Sequence, residues 1–293
     1  MSWYAGFEPI CRPDCPLADY TWYRLGGPAR WLFEPRDDVE LAALVAGCRA
    51  AGVPWRVLGR GANVLVRDAG FDGAVLRLEA AFFQRVIYEN AQVTAGAGVD
   101  FPKLVKETLQ RGLVGLEALA GIPGTMGGVT RMNAGGKYGE IGRFIRRVRL
   151  LEADGALNDR PVEALGLGYR RTALDGCVVI ATTLELAPGD RDAALARHKQ
   201  IWNEKYDSQP PVSARSAGCI FKNPPGHAAG RLIDQAGLKG TRVGQAEISP
   251  RHANFIVAQE GATAADVIGL IGLAQERVRE RFGVELETEV EIW

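Results

Sequence analysis

The sequence predicts an α+β fold assembled from two or three units. Three observations carry this. The chain has 293 residues, and at roughly 150 residues per domain that is about two domains. Strand-like and helix-like segments are too unevenly mixed for a doubly wound sheet. Pro188-Gly189-Asp190, the best linker candidate, separates a strand-rich stretch from a charged helix.

The elements follow in order. Asp37-Asp38 opens a helix whose Leu41, Leu44, Val45 and Cys48 fall on one stripe, and Gly52 ends it. A strand at 55–58, the turn Gly59-Arg60-Gly61-Ala62-Asn63 and a strand at 64–66 come next, then strands at 74–78, near 84–89 and at 91–95. Asp100 caps a helix with Pro102 in its first turn and Leu104, Val105 and Leu109 on its buried face. The stretch 115–139 is apolar and glycine-rich without clean periodicity. Strands resume at 146–152, turn at Asp154-Gly155 and return near 178–185. A helix over 191–206 leads to short strands at 217–221, 242–248 and 254–258 and a helix at 229–237. Thr263-x-x-Asp266 has the capping-box spacing and starts a helix over 263–282. The last segment, 285–293, alternates strictly, with Leu286, Thr288, Val290 and Ile292 on one side and four glutamates on the other.

Composition removes several function classes. Apolar residues are 47% and charged residues 24%, ordinary globular values that exclude a disordered chain. Lys+Arg and Asp+Glu are each 35, so no global field draws the chain to nucleic acid or an anionic membrane. Five cysteines without a CxxC pair and three widely spaced histidines suggest neither a disulfide framework nor a metal site. No run of 18 apolar residues and no signal-peptide pattern is present. The expectation is a soluble, cytoplasmic protein that inserts in no membrane and holds no metal.

Five segments are candidates for chemistry. The turn at 59–63 has two glycines but lacks the third of a dinucleotide fingerprint, because residue 64 is Val and a strand follows. It is either a nest of amides for a pyrophosphate or a plain hairpin-like turn. Ile122-Pro123-Gly124-Thr125 with Gly127-Gly128 would serve a flat or phosphate-bearing ligand, or equally the close packing of two subdomains. Ser216 to Pro224 brings Cys219, Lys222 and Asn223 together; a lone Cys in an apolar strand is usually an inert buried thiol. Tyr169-Arg170-Arg171 and the glutamate face of the last strand would ordinarily be solvated, although four like charges at period two repel one another.

Taken in order, these segments join others into one set. Thr21-x-Tyr23-Arg24-Leu25-Gly26-Gly27-Pro28-Ala29 is followed by Leu58-Gly59-Arg60-Gly61-Ala62-Asn63-Val64-Leu65 and Gly121-Ile122-Pro123-Gly124-Thr125-x-Gly127-Gly128. Then come Asn133-Ala134-Gly135, Gly168-Tyr169-Arg170, Ser216-Ala217-Gly218-Cys219-x-Phe221-Lys222-Asn223-Pro224 and Leu286-Glu287-x-Glu289-Val290. Each motif is modestly specific, and the ordered set over residues 20–293 resembles the UDP-N-acetylenolpyruvoylglucosamine reductase family.

That resemblance implies an α+β protein with a two-subdomain FAD-binding fold of the vanillyl-alcohol oxidase (PCMH) type and a C-terminal α+β substrate-binding domain. The corresponding spans are 1–82, 83–188 and 189–293. It implies FAD contacts from Leu58, Gly59, Arg60, Gly61, Ala62, Asn63, Val64, Ile122, Pro123, Gly124, Thr125 and Gly128. Ala62 stands where the family often has Ser, so one hydroxyl contact is lost. The short interval from Arg170 to Cys219 implies the shorter class of the family, without a loop bearing an extra Tyr.

The family's reaction has two half-reactions at one site: NADPH reduces the flavin, and an enolpyruvyl sugar nucleotide then receives the hydride at its vinyl carbon. By the same resemblance Arg170 stabilises the resulting enolate, Glu289 is its acidic partner and Cys219, where many members have Ser, donates the proton. A thiol of pKa about 8.5 is a far stronger acid than an alcohol. Tyr169, Lys222 and Asn223 are implied substrate or support contacts, and a monomer is the expected state. Two other readings remain: a flavin oxidase using oxygen, which would not need Arg170, Cys219 and Glu289 together, and a catalytically silent sugar-nucleotide binder.

Overall fold

The computed structural model describes residues 2–293. The chain divides into two units. The first comprises the stretch up to Pro13, Trp31–Gly59 and Gly73–Glu204; the second comprises Asp14–Arg30, Arg60–Asp72 and Lys205–Trp293.

The first unit is built on a five-stranded antiparallel sheet. Its order is Leu157–Pro161, Ile145–Leu151, Val178–Glu185, Gln92–Gly96, Val86–Glu89. Helix α1 (Asp38–Ala50) is capped by Asp37, whose side chain accepts from the Glu40 amide at 2.8 Å. Helix α2 (Phe101–Gln110) is capped by Asp100 and buries Leu104, Val105 and Leu109. Each such side chain contributes about 1.5–3 kcal/mol on leaving water. Helix α3 (Met126–Arg131) lies inside the glycine-rich stretch, where the lack of apolar periodicity gives no sign of it. The buried hydroxyls of Thr130 and Thr182 meet at 2.8 Å, which fastens α3 to the middle strand of the sheet.

The second unit has a small antiparallel sheet, ordered Arg242–Val243, Ala246–Ile248, Ile256–Ala258. Helix α4 spans Arg191–Ser208. Helix α5 (Ala229–Gln235) and helix α6 (Ala264–Phe282) complete the framework of the second unit. The reciprocal Thr263–Asp266 capping box opens α6, and Gly283 closes it at φ +67°. Val267, Leu270, Ile271, Ala274 and Val278 from α6 share a core with Leu232, Ile233, Ala246, Ile248 and Ile256. No helix among the described residues is long and apolar enough to cross a membrane.

Three expectations about local structure change. The last segment is not one long strand: only Glu291–Ile292 forms a ladder, parallel to Val64–Leu65. The alternation nonetheless sets burial, since Leu286 and Val290 are buried while Glu285, Glu287 and Glu291 are exposed. The expected strand at 217–221 is irregular, because Gly218 takes φ +77° and leaves strand geometry. The expected strand at 242–248 is a hairpin turned at Gly244, φ +51°.

Candidate active site

In the first unit, Gly59 lies beside Thr125. A Cβ on Gly59 would come 2.7 Å from Thr125 Oγ1. The extended segment before α3 is tied by Phe101 N–H to Gly124 O at 3.1 Å and by Met126 N–H to Val99 O at 2.8 Å. Gly127 N–H is likewise spent on Ala97 O at 2.9 Å. Two of the segment's glycines face open space instead. Around Gly124, at φ +114°, a Cβ would meet nothing within 4 Å, and around the exposed Gly128 only Thr125 Oγ1 at 3.7 Å. Ile122, Pro123 and Gly124 are half-buried, and Thr125 is buried as the α3 cap.

In the second unit, Gly61 at φ +63° is buried, and a Cβ there would lie 2.2 Å from Tyr20 O. Trp22 N–H donates to Gly61 O at 3.1 Å. Packing therefore explains the absence of a side chain at 59 and 61, whereas 124 and 128 lie beside room for a ligand. Leu58 is buried, Arg60 exposed, and Ala62, Asn63 and Val64 half-buried.

Arg170 sits in a four-residue turn closed by Gly168 N–H to Arg171 O at 3.0 Å. Its φ of +54° is rare for a residue with a side chain. Its Nη2 donates to Gly135 O at 2.7 Å, and its guanidinium lies 5.0 Å from the centre of the exposed Tyr169 ring. Asn133, wholly buried, donates through Nδ2 to Gly168 O at 3.0 Å and accepts at Oδ1 from Gly142 N–H at 2.9 Å. The Asn133-Ala134-Gly135 motif is thus the bracket of the Arg170 turn.

Cys219 and Glu289 both belong to the second unit and stand on hydrogen-bonded segments. Glu289 N–H donates to Ile220 O at 2.7 Å, and Lys222 N–H donates to Glu287 O at 2.9 Å. Asn63 Nδ2 donates to Glu289 O at 2.9 Å, and Glu291 N–H returns a bond to Asn63 O at 3.0 Å. The turn at 60–64, the Cys219 segment and the Glu289 segment therefore form one continuous network. Glu289 is half-buried, unlike the three other glutamates of its segment. Lys222 Nζ pairs with the Glu287 carboxylate, and Asn223 Oδ1 accepts from Ala229 N–H at 2.9 Å at the start of α5. Asn223 thus also has a structural duty.

Asn254 was not singled out by motif or spacing. It is 4% exposed and brackets the peptide groups next to Cys219. The only trace in the sequence is an amide opening an otherwise apolar strand-like run. No group of three or more His, Cys, Asp or Glu suited to a metal occurs among the described residues.

Residues 29–159 match an FAD binding domain, and residues 209–293 match the C-terminal domain of UDP-N-acetylenolpyruvoylglucosamine reductase. The reductase of that name from Anaeromyxobacter dehalogenans is 46% identical over 280 residues, covering 95% of this chain and 84% of the relative. The chain belongs to the UDP-N-acetylenolpyruvoylglucosamine reductase family. Its Rubrobacter xylanophilus namesake is 43% identical over 97% of this chain and 95% of the relative. The crystal structure of the reductase (MurB) from Thermus caldophilus aligns at a TM-score of 0.82 with 41% identity, over 97% of this chain and 98% of that one. A Phl p 4 variant described as a glucose oxidase aligns over 72% of this chain at a TM-score of 0.51 and 15% identity, a likeness of fold alone. The reductase C-terminal span contains Cys219, Lys222, Asn223 and Glu289, and the FAD-domain span contains 58–64 and 122–128. Tyr169 and Arg170 lie in neither.

Proposed function

We propose that Arg170, Cys219 and Glu289 carry the chemistry of this reductase. The reaction is FAD-dependent reduction of UDP-N-acetylglucosamine enolpyruvate to UDP-N-acetylmuramate by NADPH, in peptidoglycan precursor synthesis. Bound FAD would supply the hydride chemistry that links NADPH to the enolpyruvyl double bond.

The residues at 58–64, with Ile122–Thr125 and Gly128, hold the cofactor. The open space around Gly124 and Gly128 supports this, since backbone there has room for a flat ring or a phosphate. Arg170 binds the substrate carboxylate and stabilises negative charge as it builds on the adjacent carbon. A preorganised donor of this kind contributes about 2.7–4 kcal/mol. Cys219 then gives its proton to that carbon: the enolate's electron pair makes the new C–H bond, and the thiolate left behind is reprotonated from solvent. Glu289 orients the same carboxylate region. Tyr169, Lys222 and Asn223 complete the substrate contacts.

The observation that carries this reading is the bond from Glu289 N–H to Ile220 O, because it ties the acid's segment to the thiol's segment one residue from Cys219. In domain terms, 1–82 and 83–188 serve the cofactor and 189–293 serves the sugar nucleotide. The protein acts as a cytoplasmic monomer without nucleic acid.

The test is an anaerobic titration. NADPH should bleach the flavin, and the enolpyruvyl sugar nucleotide should restore its colour with stoichiometric product. Rapid recolouring by air and none by the sugar nucleotide would mark an oxidase; a colourless protein that binds no flavin would mark a silent binder.

A further inference from the structure

Gly218 takes the segment after it off strand geometry, at φ +77°. Ile220 and Phe221 nevertheless bury their side chains to 1% and 2% exposure. Their four backbone polar groups need partners, because a buried peptide group left unpaired is costly. Asn254 meets three of the four. Its carbonyl accepts from Ile220 N–H at 2.8 Å, its Oδ1 accepts from Phe221 N–H at 2.9 Å, and its Nδ2 donates to Phe221 O at 2.8 Å. The fourth group, Ile220 O, accepts from Glu289 N–H at 2.7 Å and Val290 N–H at 3.3 Å.

We propose that Asn254 is a positioning residue that stands in for a missing strand and sets the placement of Cys219 relative to Glu289. The proposal rests on the reading of Cys219 and Glu289 as catalytic residues. An amide suits the task because it carries one donor and one acceptor side by side, complementary to both faces of the Phe221 peptide positions it meets. Its orientation is fixed, since reversing it would set oxygen against oxygen and nitrogen against nitrogen. Asn254 is itself held, with its N–H donating to His252 Nδ1 at 3.2 Å. A small displacement of a reacting group costs rate steeply, on the order of 10²-fold for 1 Å.

The test uses the flavin-loaded Asn254→Asp variant, which keeps the shape but opposes an oxygen to Phe221 O. Its flavin content should match wild type and its reduction by NADPH should stay within about twofold. Reoxidation by the enolpyruvyl sugar nucleotide should slow by roughly 10–100-fold, mostly in kcat rather than KM. A second readout is the rate of Cys219 alkylation by iodoacetamide, localised by mass spectrometry, which should change by about fivefold or more. Alkylation of the uncharged Asn254→Ser variant, measured alongside, separates a change of segment geometry from the effect of the new carboxylate on the thiol, whether or not the thiol donates the proton. If Asn254→Asp does not fold, Asn254→Ser, which retains one hydrogen-bonding group, takes its place with the same expectations. Wild-type alkylation, or equal slowing of both half-reactions, overturns the proposal. Full activity of Cys219→Ala would instead overturn the role of the thiol, and Asn254 is then judged by alkylation alone.

Discussion

Arg170 Nη2 donates to the carbonyl oxygen of Gly135 at 2.7 Å, while the Arg170 backbone stands in the left-handed region. A residue with a side chain holds such a conformation only where its surroundings over-determine it, and these outliers concentrate at functional sites. Asn133, Gly135 and the Gly168–Arg171 turn are those surroundings. Arg170→Lys keeps the charge but loses the planar fork. Flavin reduction by NADPH should be unaffected, and reoxidation by substrate should fall by about 10²–10³-fold, measured by anaerobic stopped flow.

Cys219→Ser should remain active, since the resemblance puts Ser at this position in many members. Cys219→Ala should still be reduced by NADPH, yet return hydride to substrate about 10²–10⁴-fold more slowly. The two half-reactions, followed separately at the flavin absorbance, check this. Normal turnover in Cys219→Ala would return the residue to a packing role.

Glu289 and Glu287 share a face of the last segment but differ in setting. Glu289 is half-buried and its carbonyl holds Asn63; the Glu287 side chain is 73% exposed and pairs with Lys222. Glu289→Gln should slow reoxidation by at least tenfold with flavin retained. Glu287→Gln should change stability by no more than about 1 kcal/mol, the range of exposed ion pairs, and leave reoxidation within about threefold. Steady-state kinetics and urea unfolding of both variants would separate them; the reverse ranking would move the acidic role to Glu287.

Gly61 and Gly128 separate packing from ligand approach. Gly61→Ala puts a methyl group 2.2 Å from Tyr20 O, so the flavin-free protein itself should be destabilised. Gly128→Ala meets only Thr125 Oγ1 at 3.7 Å and sits in α3, where Ala is favoured over Gly by about 1 kcal/mol. The flavin-free Gly128→Ala protein should melt no lower than wild type, yet bind FAD more weakly. Unchanged FAD affinity by fluorescence quenching would remove Gly128 from the cofactor site.

Burial holds His252 below the ordinary histidine range, and the charge of Lys239 acts in the same direction. The unfolded chain therefore binds this proton more readily than the folded one. Stability is full above the unfolded value of about 6.5 and is lost as pH falls from there towards the folded value. Protonation also removes the Nδ1 acceptor from Asn254 N–H. His252→Gln should flatten the decline of unfolding free energy below pH about 6.5. It should not abolish the decline, because burial lowers His198 as well. Urea titrations at several pH values read this slope.

Local chemistry made much of the fold legible. Asp37, Asp100 and Thr263-x-x-Asp266 mark the starts of α1, α2 and α6 because capping is decided by neighbours in sequence. The strands expected at 146–152 and near 178–185 fall on the sheet strands Ile145–Leu151 and Val178–Glu185. α3 stays hidden because two glycines erase its periodicity and only its Thr125 cap betrays it. Alternation at 285–292 predicts which side chains are buried, but a ladder needs a partner, and only Glu291–Ile292 finds one in Val64–Leu65. The residues of the candidate site stand in motifs, and that is where they are legible. Asn254 stands outside them, since sequence does not disclose what a buried amide bonds.

The bond from Asn63 Nδ2 to Glu289 O spans 226 positions of chain. Closing so wide a circuit costs about 3 kcal/mol more than closing one of about ten residues, and nothing local rewards it in advance. During vectorial synthesis the helices and the sheet of the first unit can form while the 60–64 turn still waits for residues not yet made. A chain that ends before residue 289 would lack the carbonyl that holds Asn63, so its 60–64 turn would go unlatched.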